Sequence, residues 1–183
     1  RRSVFSQNHV SMIDGHIAAF VIPHEFCGLM NAWHFHIPCY GWVMRCTGGI
    51  PVFPHKAGRT AEVTAAAQDR VRRGLSILVF PEGRRTLDGE VGKFKRGVFF
   101  MARDAEIPVV PIAVRGIHEV NRKGKYTFTP GNITIYVGAQ IETVGLSDDE
   151  VHTLAEHTRG LMTEFIETGN IPTRSERKES LAA

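Results

Sequence analysis

Two predominantly apolar runs, Leu75 to Phe80, with Ser76 as its one polar residue, and Pro108 to Val114, constrain this chain more than any other feature. A strand with one face in water alternates apolar and polar residues, whereas a strand covered on both faces has no position to leave polar. Both runs therefore predict interior strands of a sheet packed between helices. Helical patterns flank them. Thr60 to Arg73 sets Val63, Ala66, Ala67 and Val71 on one face, with Thr60 as its cap and Gly74 as its stop, and another helix is expected over Gly97 to Ala105. Ser147-Asp148-Asp149-Glu150 is a capping box that opens a helix running to about Thr168, where Gly169 ends it.

The remaining stretches fill in the same plan. Val4-Phe5-Ser6 reads as a strand end, and Ser11 as the N-cap of a helix from Met12 to Phe20. Glu25 to His36 holds a strand, Ile37 to Arg45 a short helix with Pro near its start, and Ile50 to Phe53 a brief strand that Pro54 and His55 turn out of. Tyr126 to Thr129 and Ile133 to Val137 flank Pro130-Gly131-Asn132, which predicts a hairpin. The fold class expected is α/β, a single domain over residues 1–170 with a mixed, largely parallel sheet flanked by helices. Residues 171–183 form a charged tail that lacks a buried face and is expected to be flexible.

Composition limits the partners. The 183 residues are 43% apolar, enough for one sizeable core, and contain no run of about 18 apolar residues that would cross a membrane. The chain opens on Arg1-Arg2 without a Met, part-way into a strand, so a preceding segment is expected. Cys27, Cys39 and Cys46 are odd in number and lack a C-x-x-C spacing, which predicts reduced, mostly buried thiols and a cytoplasmic setting. His34 and His36 would share one strand face but have no third ligand, so no metal is expected. Phe20, Trp33, Phe35 and Trp42 read first as core residues, with insertion at a membrane interface as the other reading. Arg70, Arg72, Arg73, Arg84, Arg85, Lys93, Lys95 and Arg96 crowd one third of the chain and favour an anionic partner: phosphate, a cofactor or an acidic membrane surface, with no nucleic acid expected.

Chemistry concentrates in two places. His9 and Asp14 are the parts of a general-base pair, since an imidazole that accepts a proton at one nitrogen needs the other held by a fixed acceptor. Five steps along a regular helix would leave the two side chains about 140° apart. His9 must therefore lie in a turn ahead of a helix that begins near Asp14. Pro81-Glu82-Gly83-Arg84-Arg85-Thr86 follows the first interior strand at its carboxyl end, where open α/β sheets place ligands. Glu82 and Gly83 in a tight turn should expose backbone N–H groups, and the Arg84 and Arg85 forks match phosphate oxygens. No G-x-S-x-G elbow is present, which counts against an esterase.

Asn8-His9 with Asp14, the loop Phe80 to Thr86, Lys93-Phe94-Lys95-Arg96-Gly97 and Ile107 to Ala113 together resemble the ordered motifs of the glycerolipid acyltransferases, the group containing 1-acylglycerol-3-phosphate acyltransferase. The segments Ile37-Pro38-Cys39-Tyr40-Gly41-Trp42 and Gly49-Ile50-Pro51-Val52 also fit the run into that family's second motif. The resemblance implies an acyltransferase that moves a fatty acyl group from acyl-CoA or acyl-carrier protein to the free hydroxyl of a lysophospholipid such as 1-acyl-glycerol-3-phosphate, giving phosphatidic acid. It implies His9 as base and Asp14 as its orienter. Glu82, Gly83, Arg84 and Arg85 fall on the acceptor-phosphate loop, and Pro108 to Ala113 on a motif near the acyl pocket. No cofactor beyond the acyl donor is implied, and the workplace is a membrane surface, on its cytoplasmic face. Two departures stand out. Pro54, His55 and Lys56 occupy the place of an Arg after the second-motif strand, so that contact is missing or supplied by Lys56 or Arg59; Arg84 replaces a small hydroxyl residue. Other lyso-lipid or glycolipid acceptors, and a non-catalytic lipid-phosphate-binding module, are the alternatives.

Overall fold

A strand buried on both faces hands successive side chains to two separate cores, and that division explains the apolar runs. The structure is a computed structural model and describes residues 1–53 and 59–172. Along the chain its elements are β1 (Val4–Gln7), α1 (Asp14–Val21), β2 (Phe26–Asn31), a 3-10 turn (Ala32–His36), α2 (Tyr40–Cys46), β3 (Ile50–Val52), α3 (Thr60–Arg72), β4 (Ser76–Val79), α4 (Gly97–Asp104), β5 (Val109–Arg115), α5 (Ile117–Val120), β6 (Thr134–Val137) and α6 (Asp148–Thr168). In β4, Ile77 and Val79 enter one core and Leu78 the other; in β5, Val109 and Ala113 are likewise separated from Val110, Ile112 and Val114. Helices α3, α4 and α6 close the first core with Ala67, Met101 and Leu154, while α1 and α5 close the second with Ile17, Ala18 and Ile117. Each such Val, Ile, Leu or Met side chain contributes about 1.5–3 kcal/mol by leaving water, and each Ala less.

The sheet order is β3-β2-β4-β1-β5-β6. The first five strands are parallel and β6 is antiparallel to β5. With Phe5 level with both Leu78 and Val110, the carboxyl ends of β1, β4 and β5 open on one edge. The single mixed, mostly parallel sheet is the architecture that the apolar runs and helical patterns predict.

Several local expectations are corrected. There is no hairpin at Pro130-Gly131-Asn132: residues 126–133 contain no strand, and β6 pairs with β5 instead. Asn121 accounts for the difference, because its amide donates to the Lys125 and Thr127 carbonyls at 3.1 Å each and holds that stretch as a loop. Thr60 is the first helical residue and caps nothing; Arg59 precedes it and pairs with Glu62 at 2.9 Å. His34 and His36 lie in the 3-10 turn, not on a strand face. Of the cysteines only Cys27 is buried, which pushes its thiol up to about 11, whereas Cys39 and Cys46 are exposed at α2. The capping box and the Gly169 stop of α6 are present as expected. Pro54 to Lys56 and the tail from Thr173 onward lie outside the described residues.

The aromatic residues divide. Phe35 is buried, but Phe20, Trp33 and Trp42 are 89%, 58% and 69% exposed, against the core reading. Helix α2 explains Trp42. A side-chain carbon at Gly41 would meet the Phe35 carbonyl oxygen at 2.2 Å, so the helix sits backbone-close on that turn and Trp42 and Val43 are turned outward.

Gly116 links β5 to α5 with φ of +85°, and a side-chain carbon there would fall 2.1 Å from the Asn132 carbonyl oxygen. Gly116→Ala is therefore expected to cost about 2 kcal/mol or more through strain and displacement of residues 131–133. Urea denaturation checks this as a fall in the midpoint at unchanged slope.

Candidate active site

The site begins where β1 runs out. Its ladder with β5 ends at Gln7 opposite Ile112, and the Asn8 side chain then takes the place of a strand residue. Asn8 Oδ1 accepts from the Val114 N–H at 2.8 Å and Nδ2 donates to the Val114 carbonyl at 3.1 Å. Pairing is thus completed by a side chain, and the main chain is released to turn at His9.

Helix α1 starts at Asp14, two residues later than expected, and Ser11 does not cap it. The Asp14 carboxylate instead folds back over the turn. Its Oδ2 accepts from the Val10 N–H at 2.7 Å, the Ser11 N–H at 2.9 Å and His9 Nδ1 at 2.7 Å. An ionised carboxylate can only accept, so Nδ1 carries the ring proton and Nε2 presents its lone pair. No described residue occupies Nε2. The His9 side chain is 24% exposed while that of Asp14 is 1% exposed, so the pair has a buried anchor and an accessible working end. The His9 ring also stacks on Phe80, with centroids 4.1 Å apart and planes 17° from parallel. Sequence reasoning missed that support, although Phe80 directly precedes the loop it had singled out.

The loop after β4 then locks onto the same residue. Glu82 Oε1 accepts the His9 N–H at 2.8 Å, and the His9 carbonyl accepts from the Thr86 N–H at 2.8 Å. Both main-chain polar groups of His9 are thereby satisfied from a loop more than seventy residues away. Glu82 is 8% exposed, and its other oxygen accepts from Gly92 at 3.1 Å, so this carboxylate points inward as a strut. Gly83 has φ of +71° and donates its N–H to the Phe80 carbonyl at 3.0 Å, so the expected outward N–H is spent inside the turn. Arg84 is exposed and Arg85 half-buried, and neither guanidinium has a hydrogen-bond or ion-pair partner among the described residues. Structure therefore gathers His9, Asp14 and the Glu82 to Thr86 loop on one sheet edge and leaves the Arg forks uncommitted. Arg59 lies over the Phe53 ring at 4.1 Å, and both line the neighbouring apolar cavity.

An apolar cavity of about 200 Å³ lies beside this edge, lined by Leu29, Val52, Phe53, Val63, Val98 and Met101 with Lys95 among its polar groups. Lys95 is tied to the loop through its N–H to the Pro81 carbonyl at 2.8 Å. Of Pro108 to Ala113, expected near an acyl pocket, Pro108 directly precedes β5 and Val109 to Ala113 lie buried within it; none of them lines this cavity.

An α/β sheet with a His–Asp pair at its carboxyl edge and a cationic loop bound to the His backbone is an arrangement suited to proton abstraction beside an anion. Comparison with known proteins then fixes the family. The Acyltransferase family profile matches residues 1–115, and the chain belongs to that family. Over 174 residues the chain is 27% identical to human 1-acyl-sn-glycerol-3-phosphate acyltransferase beta, covering 94% of this chain and 63% of that protein. It is 33% identical over 137 residues to a Chlamydomonas reinhardtii 1-acyl-sn-glycerol-3-phosphate acyltransferase, covering 73% and 40% respectively. The crystal structure of the 1-acyl-sn-glycerophosphate acyltransferase PlsC from Thermotoga maritima shares the fold, with a TM-score of 0.75 at 24% identity over 91% of this chain and 66% of that one. The chain thus spans 63%, 40% and 66% of these three proteins.

Burial pushes the Glu82 carboxyl above its ordinary 4.5, against the N–H groups of His9 and Gly92, which pull it down. The folded chain therefore keeps this proton to higher pH than the unfolded chain. Its contribution to stability is greatest in acid and is lost as pH rises through the raised value. Glu82→Gln removes that titration. Melting temperatures measured from about pH 4 to 7 should show the wild-type advantage over Glu82→Gln shrinking as pH rises; an advantage that grows would reverse the sign of the shift.

Proposed function

We propose that this chain transfers a fatty acyl group from an acyl thioester, acyl-CoA or acyl-carrier protein, to the free hydroxyl of 1-acyl-glycerol-3-phosphate, giving phosphatidic acid. The observation that carries the reading is the 2.7 Å contact from His9 Nδ1 to an Asp14 carboxylate itself anchored by two backbone N–H groups. His9 Nε2 takes the proton from the acceptor hydroxyl as its oxygen attacks the thioester carbonyl. Collapse of the tetrahedral intermediate breaks the C–S bond, and the Nε2 proton passes to the departing thiolate. Asp14 holds the tautomer and stabilises the imidazolium between these steps. A thioester is already activated, so the reaction requires no covalent serine.

The surroundings support each substrate. Unpaired Arg84 and Arg85 offer forks for the acceptor phosphate, and Glu82 with Gly83 shape the turn that carries them. The apolar cavity fits part of an alkyl chain, and Lys95 connects it to the Pro81–Gly83 turn. A pure binding module would have no use for an oriented imidazole with a free nitrogen, which disfavours the non-catalytic reading. Lipid substrates imply a membrane surface, here its cytoplasmic face, where acyl thioesters are made and the free thiols of Cys27, Cys39 and Cys46 stay reduced. No helix among the described residues is long and apolar enough to cross a membrane. Contact through exposed Trp33, Tyr40 and Trp42 fits peripheral binding, since aromatic side chains favour the headgroup level.

With acyl-CoA and 1-acyl-glycerol-3-phosphate, and thiol release as the readout, His9→Ala and Asp14→Asn should each lower kcat by about 10²-fold to 10⁴-fold. Near-normal rates in His9→Ala would remove the base assignment. In vesicle flotation, Trp33→Ser combined with Trp42→Ser should bind anionic liposomes several-fold more weakly than wild type at unchanged melting temperature; equal binding would place membrane contact elsewhere.

A further inference from the structure

A second cationic element lies against the catalytic turn, and no sequence motif marks it. Lys123 is half-buried and its Nζ donates to the Arg85 carbonyl at 3.0 Å. One carbonyl uses one of three ammonium protons, and no carboxylate pairs with Lys123 among the described residues. Arg84, Arg85, Arg122 and Lys125 are equally without an ion pair there. The remaining ammonium protons of Lys123 are thus uncommitted among the described residues and can donate to the oxygens of an anion.

The loop that carries Lys123 is held in place from the catalytic turn itself. Ser11, three residues ahead of Asp14, donates its hydroxyl to Asn121 Oδ1 at 2.7 Å, and both residues are buried. The Asn121 amide then fixes the Lys125 and Thr127 carbonyls at 3.1 Å. On the same flank, His118 Nε2 meets the Leu87 carbonyl at 3.1 Å, a second tie between this region and the loop after β4. We propose that Lys123 is the second arm of the acceptor-phosphate site, closing on a phosphate monoester held by the Arg84–Arg85 loop, with Asn121 as the positioning residue that fixes this arm relative to His9. A phosphate monoester carries close to two negative charges and several acceptor oxygens, and matches a guanidinium fork combined with an ammonium point charge. A neutral acylglycerol has nothing to offer Lys123. The arm would thus select phosphorylated acceptors. This inference rests on the acceptor reading proposed above.

The test is calorimetric titration of the whole chain, wild type and Lys123→Met, with 1-oleoyl-glycerol-3-phosphate and with 1-oleoylglycerol in dilute detergent, accompanied by melting temperatures and flotation on anionic vesicles. Lys123→Met should weaken the phosphorylated ligand about tenfold and leave the neutral ligand, the melting temperature and vesicle binding within experimental error; Lys123→Arg should recover part of the loss. Unchanged affinity for the phosphorylated ligand overturns the inference. So does an equal loss for both ligands with a lowered melting temperature, which would make Lys123 only a tether for Arg85, and so does a loss confined to vesicle binding. A wild-type chain that binds the phosphorylated ligand through Lys123 yet releases no thiol from acyl-CoA supports this site while removing the acyl-transfer reading; turnover with Lys123-independent binding does the opposite.

Discussion

One carboxylate oxygen organises the carboxyl edge of the sheet around His9. Asp14 Oδ2 gathers three donors, two from backbone and one from the His9 ring, within a turn of the chain that has no regular secondary structure of its own. Burying a carboxylate is costly unless such donors replace water; at Oδ2 the N–H groups of residues 10 and 11 and the imidazole do so, while Oδ1 is buried without a partner among the described residues. Without Oδ2 the turn would lose the ligand for its own backbone, so the orientation of the His9 ring and local folding depend on the same bonds.

This dual dependence explains which parts of the site could be read from the sequence. His9 and Asp14 are close along the chain, and helix geometry alone requires that His9 precede the helix on which Asp14 sits. The start of α1 is two residues later than expected: Ser11 donates its hydroxyl to Asn121 and accepts from the Ile13 N–H at 3.3 Å in the turn before the helix, and does not cap α1. Similarly, the apolar runs announced β4 and β5 because burial on both faces leaves a largely apolar signature in the residues themselves. The capping box and Gly169 of α6 were legible for the same local reason.

Long-range polar contacts left no such signature. Nothing in the sequence distinguishes the inward Glu82 strut from the outward Arg84 and Arg85, since a charged residue in a turn is equally at home in water. The Ser11–Asn121 bond spans 110 residues, and Asn121 is what keeps residues 126–133 from forming the hairpin that their β-branched and aromatic residues suggested. The exposed Trp42 shows a related limit: burial at α2 is decided by the absence of a side chain at Gly41, which lets backbones meet and leaves the large residues outside.

The loop after β4 is accordingly more than a carrier of charge. Its Glu82 side chain and Thr86 backbone N–H satisfy the two main-chain polar groups of His9, its Pro81 end is joined to Lys95 and the apolar cavity, and its Arg85 end is joined to Lys123. Under the proposed reaction, the acyl chain and the acceptor phosphate would approach along opposite flanks of one loop and meet at the imidazole it supports. Displacing that loop to admit a misfit on either flank would disturb the His9 main chain directly, through two bonds of 2.8 Å. Substrate fit and base orientation are thereby linked mechanically, and a change on either flank should reach the turnover step without touching His9 itself.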